Sequence, residues 1–358
     1  MTNTNTIVPV YKFNPLQDTR WAPFLMRRPN ASVFHSVPWL NALYRTYGYK
    51  PLVYTSTPPG QDLRDGIVFN DVNSWLTGRR LVSLPFSDHC DPLVSDPVVA
   101  RALFASMMQD CNQFKWKYVE VRPRGDMNGR AAFFEPIQTL YHHDLDLTPA
   151  LDSLFLNFHK NCVQRKIKRA EHEDLVYLEG RSEKLLDHFY QLLVLTRRRH
   201  HLPPQPKKWF VNLTECFGEA LKIRIAYKNS IPVASILTLQ YKDTLTYKSG
   251  CSDATLHNLG GMHLLFWKSI QDAKAHGLRT FDLGRSETSN TGLTIFKDRW
   301  GATRTSVSYY NYFNSKVYSA KSHSSKTGWK MHLAKQVFRH LPGTWLSSAG
   351  NLLYRHIG

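Results

Sequence analysis

The chain has 358 residues, of which 42% are hydrophobic and 13% aromatic, and its formal net charge at pH 7 is +18. This length and apolar content suffice for two folded domains and exclude an intrinsically disordered chain. No apolar run approaches the roughly 20 residues that span a bilayer, and the start MTNTNTIVPVYKF has neither the basic nor the apolar region of a signal peptide. We therefore expect a cytoplasmic globular protein, with contact to the inner face of the membrane left open.

The positive charge predicts an anionic partner. A field of this sign attracts nucleic acid, a nucleotide cofactor, a phospholipid surface or an anionic glycolipid, although it also serves solubility. Two basic clusters stand out along the chain: Lys160, Arg165, Lys166, Lys168 and Arg169, and then Arg197, Arg198, Arg199, Lys207 and Lys208.

Cysteine and histidine spacing argues against a metal centre. The five cysteines lie far apart and form no C-x-x-C pair, so we expect free thiols that are mostly buried. The 16 histidines include no H-E-x-x-H pattern. The sequence predicts that no metal is used.

The first half of the chain predicts a helix, antiparallel strands, a second helix and a strand. The predicted segments are the helix SVPWLNALYRTYG ending at Gly48, the extended runs PLVYT, GIVFNDV and RRLVSLPF, a helix over 97–113 and the strand YVEVRP.

The second half predicts the same order of elements. Its segments are a helix over 183–199, the alternating strand 221–227, turns at Asn229-Ser230 and Lys242-Asp243 that lead to VASILTLQY and TLTYKSGC, a helix over 262–276 closed by Gly277, and the strand RTFDLG. The predicted fold class is therefore α/β with mixed sheets, in two tandem domains of similar architecture.

The segment DLDLTP (144–149) is the predicted boundary between the domains. We expect a first domain over 1–147, a second over 148–315 and a basic tail over 316–358. The tail includes a short helix at WKMHLAKQVFRHL and is expected to pack on the first domain.

Two adjacent glycines, Gly260 and Gly261, precede the helix that begins at Met262. Small residues before unpaired helical amides let an anion approach the backbone, so this loop predicts a phosphate site. Its donor-binding residues would include His257 and His263. A tight strand-to-helix turn is the structural alternative.

The corresponding loop of the first half, FSDHCDPLVSDP, has three aspartates and no glycine. We therefore expect only the second half to bind an anionic donor, while the first shapes the acceptor site. Asp88 and His89 are predicted to face that site, with turn or cap residues as the alternative.

The order of elements resembles the GNAT acyltransferase fold. Several stretches resemble more closely the Fem-like branch, in which two such domains are joined, and particularly the FemAB-related acyltransferases. These stretches are FHSVPWLNAL, LPFSDHCDPLV, FHKNCVQRKIKRAE, TRRRHHLPPQP, YKSGCSDATLHNLGGMHLLFWKSI and FDLGRSETSNTGLTIFKDRWGA.

The resemblance implies transfer of an acyl group from acyl-CoA to an amine of a cell-envelope, polysaccharide or peptide precursor. In Fem enzymes the donor is aminoacyl-tRNA, and this alternative stays open here. A phosphate loop of the family has Arg or Gln, two residues, Gly, one residue, then Gly or Ala; this chain has His257, Gly260 and Met262. A catalytically silent polyanion-binding protein is the third hypothesis.

By analogy with the fold, backbone amides near Tyr247–Gly250 are the expected oxyanion donors. The Phe-Lys pair of Fem enzymes matches Phe296 and Lys297. The Lys297 cation would stabilise the developing oxyanion or a donor phosphate, with its stem covered by Phe296 and Trp300. A solvated lysine on an amphipathic helix is the alternative.

Further candidates follow the strand RTFDLG. Arg285 lies where open α/β sheets face their binding crevice, and it would clamp a phosphate or carboxylate. Asp282 would be a base or the ion-pair partner of Arg285. Asn290 and Glu287 are expected to orient the acceptor, and Tyr247 to protonate the leaving group unless it is a core residue.

The basic residues expected to bind the polyanionic donor are Arg165, Lys166, Arg169, Arg198 and Arg199. No G-x-S-x-G nucleophile elbow is present. We therefore expect direct attack by the amine, without a covalent enzyme intermediate.

Overall fold

The computed structural model describes residues 8–125, 127, 133–314 and 343–357. The described chain divides into two compact units. Residues up to 139 form the first unit together with 307–314 and 355–357, and residues 140–306 and 343–354 form the second. The unit limits fall at 139/140 and 306/307, whereas the expected boundaries were at 147 and 315. Near the second limit, residues 310–313 of the strand Thr303–Phe313 pair within the first unit.

The strands are β1 (Tyr11–Phe13), β2 (Lys50–Thr55), β3 (Ile67–Val72), β4 (Arg80–Val82), β5 (Tyr118–Val121), β6 (Glu135–Asp146), β7 (Val176–Gly180), β8 (Leu221–Lys228), β9 (Ile231–Tyr241), β10 (Thr244–Ser252), β11 (Thr280–Glu287) and β12 (Thr303–Phe313). The helices are α1 (Trp21–Met26), α2 (Val37–Tyr47), α3 (Pro97–Gln113), α4 (Leu151–Asn157), α5 (Arg165–His172), α6 (Glu183–Arg199), α7 (Lys207–Phe217), α8 (Gly261–Ala275), α9 (Thr291–Asp298) and α10 (Gly343–Ile357). None of these helices is long and apolar enough to cross a membrane.

Local signals set the predicted helix ends. The Ser36 side chain accepts a hydrogen bond from the Trp39 amide at the start of α2, and Gly48 ends that helix in the left-handed conformation. The Asp96 side chain caps α3, which has Pro97 in its first turn. The predicted helices 97–113 and 183–199 coincide with α3 and α6.

In the first unit, antiparallel pairs join β1 to β2, β2 to β3 and β3 to β4. Strands β4 and β5 are parallel, and β5 pairs antiparallel with the first-unit part of β12. Helix α3 packs here, and Leu103, Phe104 and Trp116 are buried in a core shared with the strand residues Tyr54 and Phe69.

In the second unit, the strand order is β6, β11, β10, β9, β8, β7. Strands β10 and β11 are parallel, and the other neighbours are antiparallel. The β8–β9 turn has positive φ at both Asn229 and Ser230, as the hairpin prediction requires. Helix α8 covers a core that includes Phe158, Phe266 and Trp300.

Several elements were not predicted. Strand β6 runs to Asp146, so it includes the first three residues of DLDLTP, the predicted boundary segment. The predicted tail helix WKMHLAKQVFRHL lies outside the described residues. Near the end of the chain, His356 belongs to the first unit, where its carbonyl accepts a hydrogen bond from Arg80 Nη2 at 2.9 Å.

Candidate functional site

The two glycines at the start of α8 are placed by close packing. Gly260 has a φ of +80°, and a Cβ on it would lie 2.5 Å from the backbone oxygen of Lys166 in α5. A Cβ on Gly261 would lie 3.1 Å from the side chains of Val233 and Ala234 on β9. Larger residues would push α8 away from both neighbours. The tight-turn alternative therefore accounts for the glycines, and the same packing brings α5 to the helix start.

Among the described residues, the first two amides of α8 have no hydrogen-bond acceptor. The amides of His263 and Leu264 donate to the Gly260 carbonyl at 2.9 and 3.1 Å. In the part of the chain that the structure describes, no acceptor receives the amide of Gly261 or Met262. Because α8 has 15 residues, its aligned peptide dipoles add partial positive charge at this end. The arrangement suits an anion.

Cationic side chains surround this helix start. Arg199, at the end of α6, lies with Nη1 3.4 Å from His257 Nε2, and Ser252 Oγ lies 2.7 Å from the same nitrogen. Burial, followed by the charges of Arg199 and Lys166, lowers the pKa of His257. His257 is therefore neutral at pH 7, and the positive field comes from Arg199 and Lys166.

Strands β10 and β11 pair over only a short length. Their register covers Thr244 to Thr246 opposite Thr280 to Asp282 and then stops, although both strands continue. On its other edge β10 pairs with β9 from Thr244 to Ser252, with a register shift between Tyr247 and Ser249. The parallel pairing of β10 with β11 therefore ends just before Tyr247–Gly250, the segment of β10 that contains the predicted oxyanion donors.

Lys297 is a buried lysine. Its side chain is 2% exposed, and Nζ donates to the carbonyls of Gly284 and Arg285, both at 2.9 Å. These carbonyls lie at a register shift between β11 and β6, where Gly284 has a φ of +72°. The alternative of a solvated lysine is thus wrong, and the ammonium fixes the backbone of β11 beside its open end.

Asp282 is held by neighbouring groups on β11 and β6. Its Oδ1 accepts from the Gly284 amide at 2.7 Å and lies 3.2 Å from His142 Nε2. Asp144 Oδ1 lies 3.3 Å from the same His142 nitrogen. Burial opposes the charge of His142, but Asp282 and Asp144 outweigh it and raise the pKa to about 9. The imidazole is therefore a cation at neutral pH. Arg285 is half-buried and lies opposite His142 in the register.

Aromatic side chains pack against one another between helices α8 and α9. Phe266 contacts Tyr247, Phe296 and Trp300 with ring centroids 5.0 to 5.3 Å apart. His263 packs on Phe296 and Trp300 at 5.5 and 6.0 Å. Burial and the Lys166 charge lower the pKa of His263 to about 4. His263 and Trp300 therefore have packing roles, and their contact with a donor stays a prediction.

Tyr247 lies beside the opening of β10. Its hydroxyl would be 2.0 Å from a Cβ placed on Gly250, so the ring folds back over this glycine. Asn290 caps α9, with Oδ1 accepting from the Leu293 amide at 3.2 Å. Glu287 is exposed at the end of β11. This capping hydrogen bond gives Asn290 a structural role at the start of α9. A role of Asn290 toward an acceptor stays a prediction.

The remaining basic residues predicted to bind a polyanion lie on the surface. Arg165, Arg169 and Arg198 are exposed, on α5 and at the end of α6. Arg169 also pairs with Glu173 at 3.4 Å. These helices carry Lys166 and Arg199 as well, so the exposed cations extend the positive field of the helix start.

Asp88 and His89, in the first unit, are buried with 8% and 2% exposure. The Asp88 carbonyl accepts from the Tyr309 hydroxyl at 2.7 Å, and the His89 ring packs edge-on against Phe34. These surroundings fit the alternative interpretation, in which Asp88 and His89 are turn residues. Contact with an acceptor stays a prediction.

Sequence reasoning missed His142. It lies in the unpredicted strand β6, and its two carboxylate partners come from β6 itself and from β11. The pattern HHDLD, with acids at every second position of a strand, was the available signal.

Comparisons with known proteins agree with this geometry. The family model for the acetyltransferase (GNAT) domain matches residues 157–298. None of the curated proteins compared with the sequence matches it. Residues 157–298, all within the second unit, are thus similar to the acetyltransferase (GNAT) domain.

Three solved structures share the fold of most of the chain. The crystal structure of FemX is 13% identical, with a TM-score of 0.68, and the match covers 86% of this chain and 98% of FemX. L-PGS from Bacillus licheniformis is 12% identical, with a TM-score of 0.55 and coverage of 91% and 97%. A tandem GNAT protein from the clavulanic acid biosynthesis pathway is 12% identical, with a TM-score of 0.52 and coverage of 85% and 97%. The chain therefore has the tandem GNAT fold, in agreement with its resemblance to the Fem-like branch.

Proposed function

We propose that this protein is an N-acyltransferase that moves an acyl group from acyl-CoA to an amine of a cell-envelope, polysaccharide or peptide precursor. The observation that carries the proposal is that the amides of Gly261 and Met262 have no acceptor among the residues the structure describes. They lie at the start of α8, with Lys166 and Arg199 near the same loop.

The helix start would bind the pyrophosphate of the donor. The Gly261 and Met262 amides would donate to phosphate oxygens, and Lys166 and Arg199 would neutralise the remaining charge. The glycines contribute by letting α8 start close to α5 and β9, since a Cβ on either would meet Lys166, Val233 or Ala234. The donor supplies a thioester whose carbonyl carbon is attacked by the amine.

The open end of β10 and β11 would hold the acyl group. Backbone amides of β10 beyond its parallel pairing with β11 would donate to the oxyanion that forms as the C–N bond is made. Lys297 would keep the β11 backbone in position through the Gly284 and Arg285 carbonyls, which makes it a positioning residue. Orientation of the two reactants supplies much of the rate in such a reaction.

Proton transfer completes the reaction. The attacking amine loses a proton, and the sulfur of the leaving group gains one when the C–S bond breaks. Tyr247 is the proposed donor to the leaving group, and Asp282 the proposed acceptor or orienting carboxylate. Arg285 would pair with an anionic group of the acceptor.

Calorimetry with CoA and acetyl-CoA tests the proposal. We expect binding of both, weakened about tenfold by Lys166→Gln or Arg199→Gln, since each loses one charge-assisted contact. Lys184→Gln, on the exposed start of α6, is the matched control and should bind as the wild type does. Absence of binding at millimolar CoA would contradict the proposal.

Aminoacyl-tRNA is the second candidate donor, with a peptidoglycan precursor as acceptor. The exposed cations Arg165, Arg169 and Arg198 favour it, because CoA does not need so wide a basic surface. Binding of charged tRNA would then fall steeply with salt as counterions are released. A gel shift that finds no salt-sensitive complex would remove this candidate and leave the CoA proposal intact.

A further inference from the structure

A turn in the first unit exposes two large apolar side chains. Trp75 is 81% exposed and Leu76 is 51% exposed, and they are adjacent in the chain. Exposing an indole and a leucine side by side is unfavourable in water. Such a pair is typical of a surface that contacts another molecule.

The turn is held in one conformation. Ser74 Oγ accepts from the amides of Leu76 and Thr77 at 3.2 and 2.9 Å, and the Gly78 amide donates to the Ser74 carbonyl at 2.7 Å. Lys117 Nζ donates to the Thr77 carbonyl at 2.6 Å. The Trp75–Leu76 pair is therefore presented by an ordered turn.

The end of the chain supports the same turn within the first unit. Thr77 Oγ1 donates to the His356 carbonyl at 2.7 Å, and Ser74 Oγ lies 2.9 Å from His356 Nδ1. The Trp75 ring packs edge-on against the His356 ring with centroids 5.3 Å apart. Arg355, the residue before, is thereby placed next to the turn.

A cationic cavity of about 430 Å³ adjoins the turn. Asn73, two residues before Trp75, lines it, as do Lys50, Arg79 and Arg355. Among the described residues that line it, the carboxylate is Asp71, which pairs with Arg79, with Nε 3.1 Å from Oδ1. Lys50 and Arg355 are both exposed, so the cavity has an excess of positive charge toward solvent.

We propose that the Trp75–Leu76 turn and this cavity form a docking site for an anionic phospholipid membrane. The cavity would receive a headgroup phosphate between Lys50 and Arg355. Trp75 and Leu76 would enter the headgroup region, where an amphipathic indole is favoured. Cations combined with exposed apolar groups match the charge and polarity of an anionic bilayer surface. The inference is independent of the proposed acyl transfer.

Co-sedimentation with vesicles tests the inference. The full chain should bind phosphatidylcholine vesicles that contain phosphatidylglycerol, and should bind pure phosphatidylcholine vesicles far less. Trp75→Ser with Leu76→Ser should lower the bound fraction about tenfold, as should Lys50→Gln with Arg355→Gln.

Matched controls separate this site from general attraction to the basic chain. Leu156→Ser removes an apolar residue that is 74% exposed in the second unit, and Lys184→Gln removes an exposed cation there; both should bind as the wild type does. Equal losses in the control variants would overturn the proposal, as would a failure of anionic vesicles to bind. Full displacement by millimolar glycerol phosphate, with Trp75→Ser without effect, would also overturn it, because the cavity would then be a site for a soluble phosphate ester.

Discussion

Lys297 Nζ lies 2.9 Å from the carbonyl oxygen of Gly284, at the point where β11 shifts register against β6. The lysine is buried on α9, 13 residues after the glycine, and a second bond to the Arg285 carbonyl completes the contact. A buried ammonium thus fixes the strand that borders the proposed acyl site.

Lys297→Met should destabilise the protein and reduce transfer. The variant keeps an apolar stem but leaves two buried carbonyls without their donor, so we expect the free energy of unfolding to fall by about 1–3 kcal/mol. Urea denaturation measures this change. Lys184→Met, an exposed control, should stay within about 0.5 kcal/mol of wild type; an equal loss in both variants would deny Lys297 a special role.

His142 predicts a loss of stability at alkaline pH. Its folded pKa of about 9 lies above the ordinary value of 6.5. The stabilisation is therefore complete below pH 6.5 and is lost as the pH rises through 9, by up to about 3 kcal/mol. The free energies of unfolding of wild type and His142→Gln, measured from pH 6.5 to above pH 9, should therefore converge as the pH rises. A constant difference between them would show that the His142 ion pairs do not exist in solution.

His263 predicts the opposite behaviour in acid. Its folded pKa of about 4 lies below 6.5, because burial and Lys166 disfavour the charged ring. Stability from the neutral ring is present above pH 6.5 and is lost as the pH falls toward 4, by up to about 3 kcal/mol. His263→Phe should flatten this acid loss, whereas His276→Gln, at an exposed position, should leave it unchanged. An unaltered acid limb in His263→Phe would contradict the assignment.

Gly260→Ala should be costlier than Gly277→Ala. Both glycines have positive φ, +80° and +71°, but only Gly260 faces another backbone atom, the Lys166 oxygen. The left-handed conformation costs alanine about 1–2 kcal/mol at either site, and the contact adds roughly 1–3 kcal/mol at Gly260. Thermal or urea denaturation gives the free energy of unfolding of each variant. The difference between Gly260→Ala and Gly277→Ala is the cost of the contact with the Lys166 oxygen. Equal costs would mean that α5 does not pack on the glycine loop.

The sequence allowed much of the architecture to be predicted, because the signals there are local. Capping residues and glycines set the ends of α2 and α3, and a turn with two positive φ values joined β8 to β9. Strand β6 was missed because its first residues are mostly exposed and lack a clear apolar alternation.

The chemistry of individual side chains was harder to predict. The surroundings of Lys297 depend on a register shift in β11, which no local pattern near residue 297 records. His89 is buried against Phe34, a contact that no local pattern predicted, and its role toward an acceptor stays a prediction. The glycine loop was found from its spacing, but its contact with α5 required the fold.

The Met262 amide offers the most direct test of the proposed donor site. Met262→Pro removes this N–H from the first turn of α8, where proline is tolerated, and Met262→Ala removes only the side chain. Calorimetry with CoA should find binding by the proline variant about tenfold or more weaker than by the alanine variant, since one charge-assisted hydrogen bond is lost. Equal affinity in the two folded variants would contradict the claim that the start of α8 binds the donor.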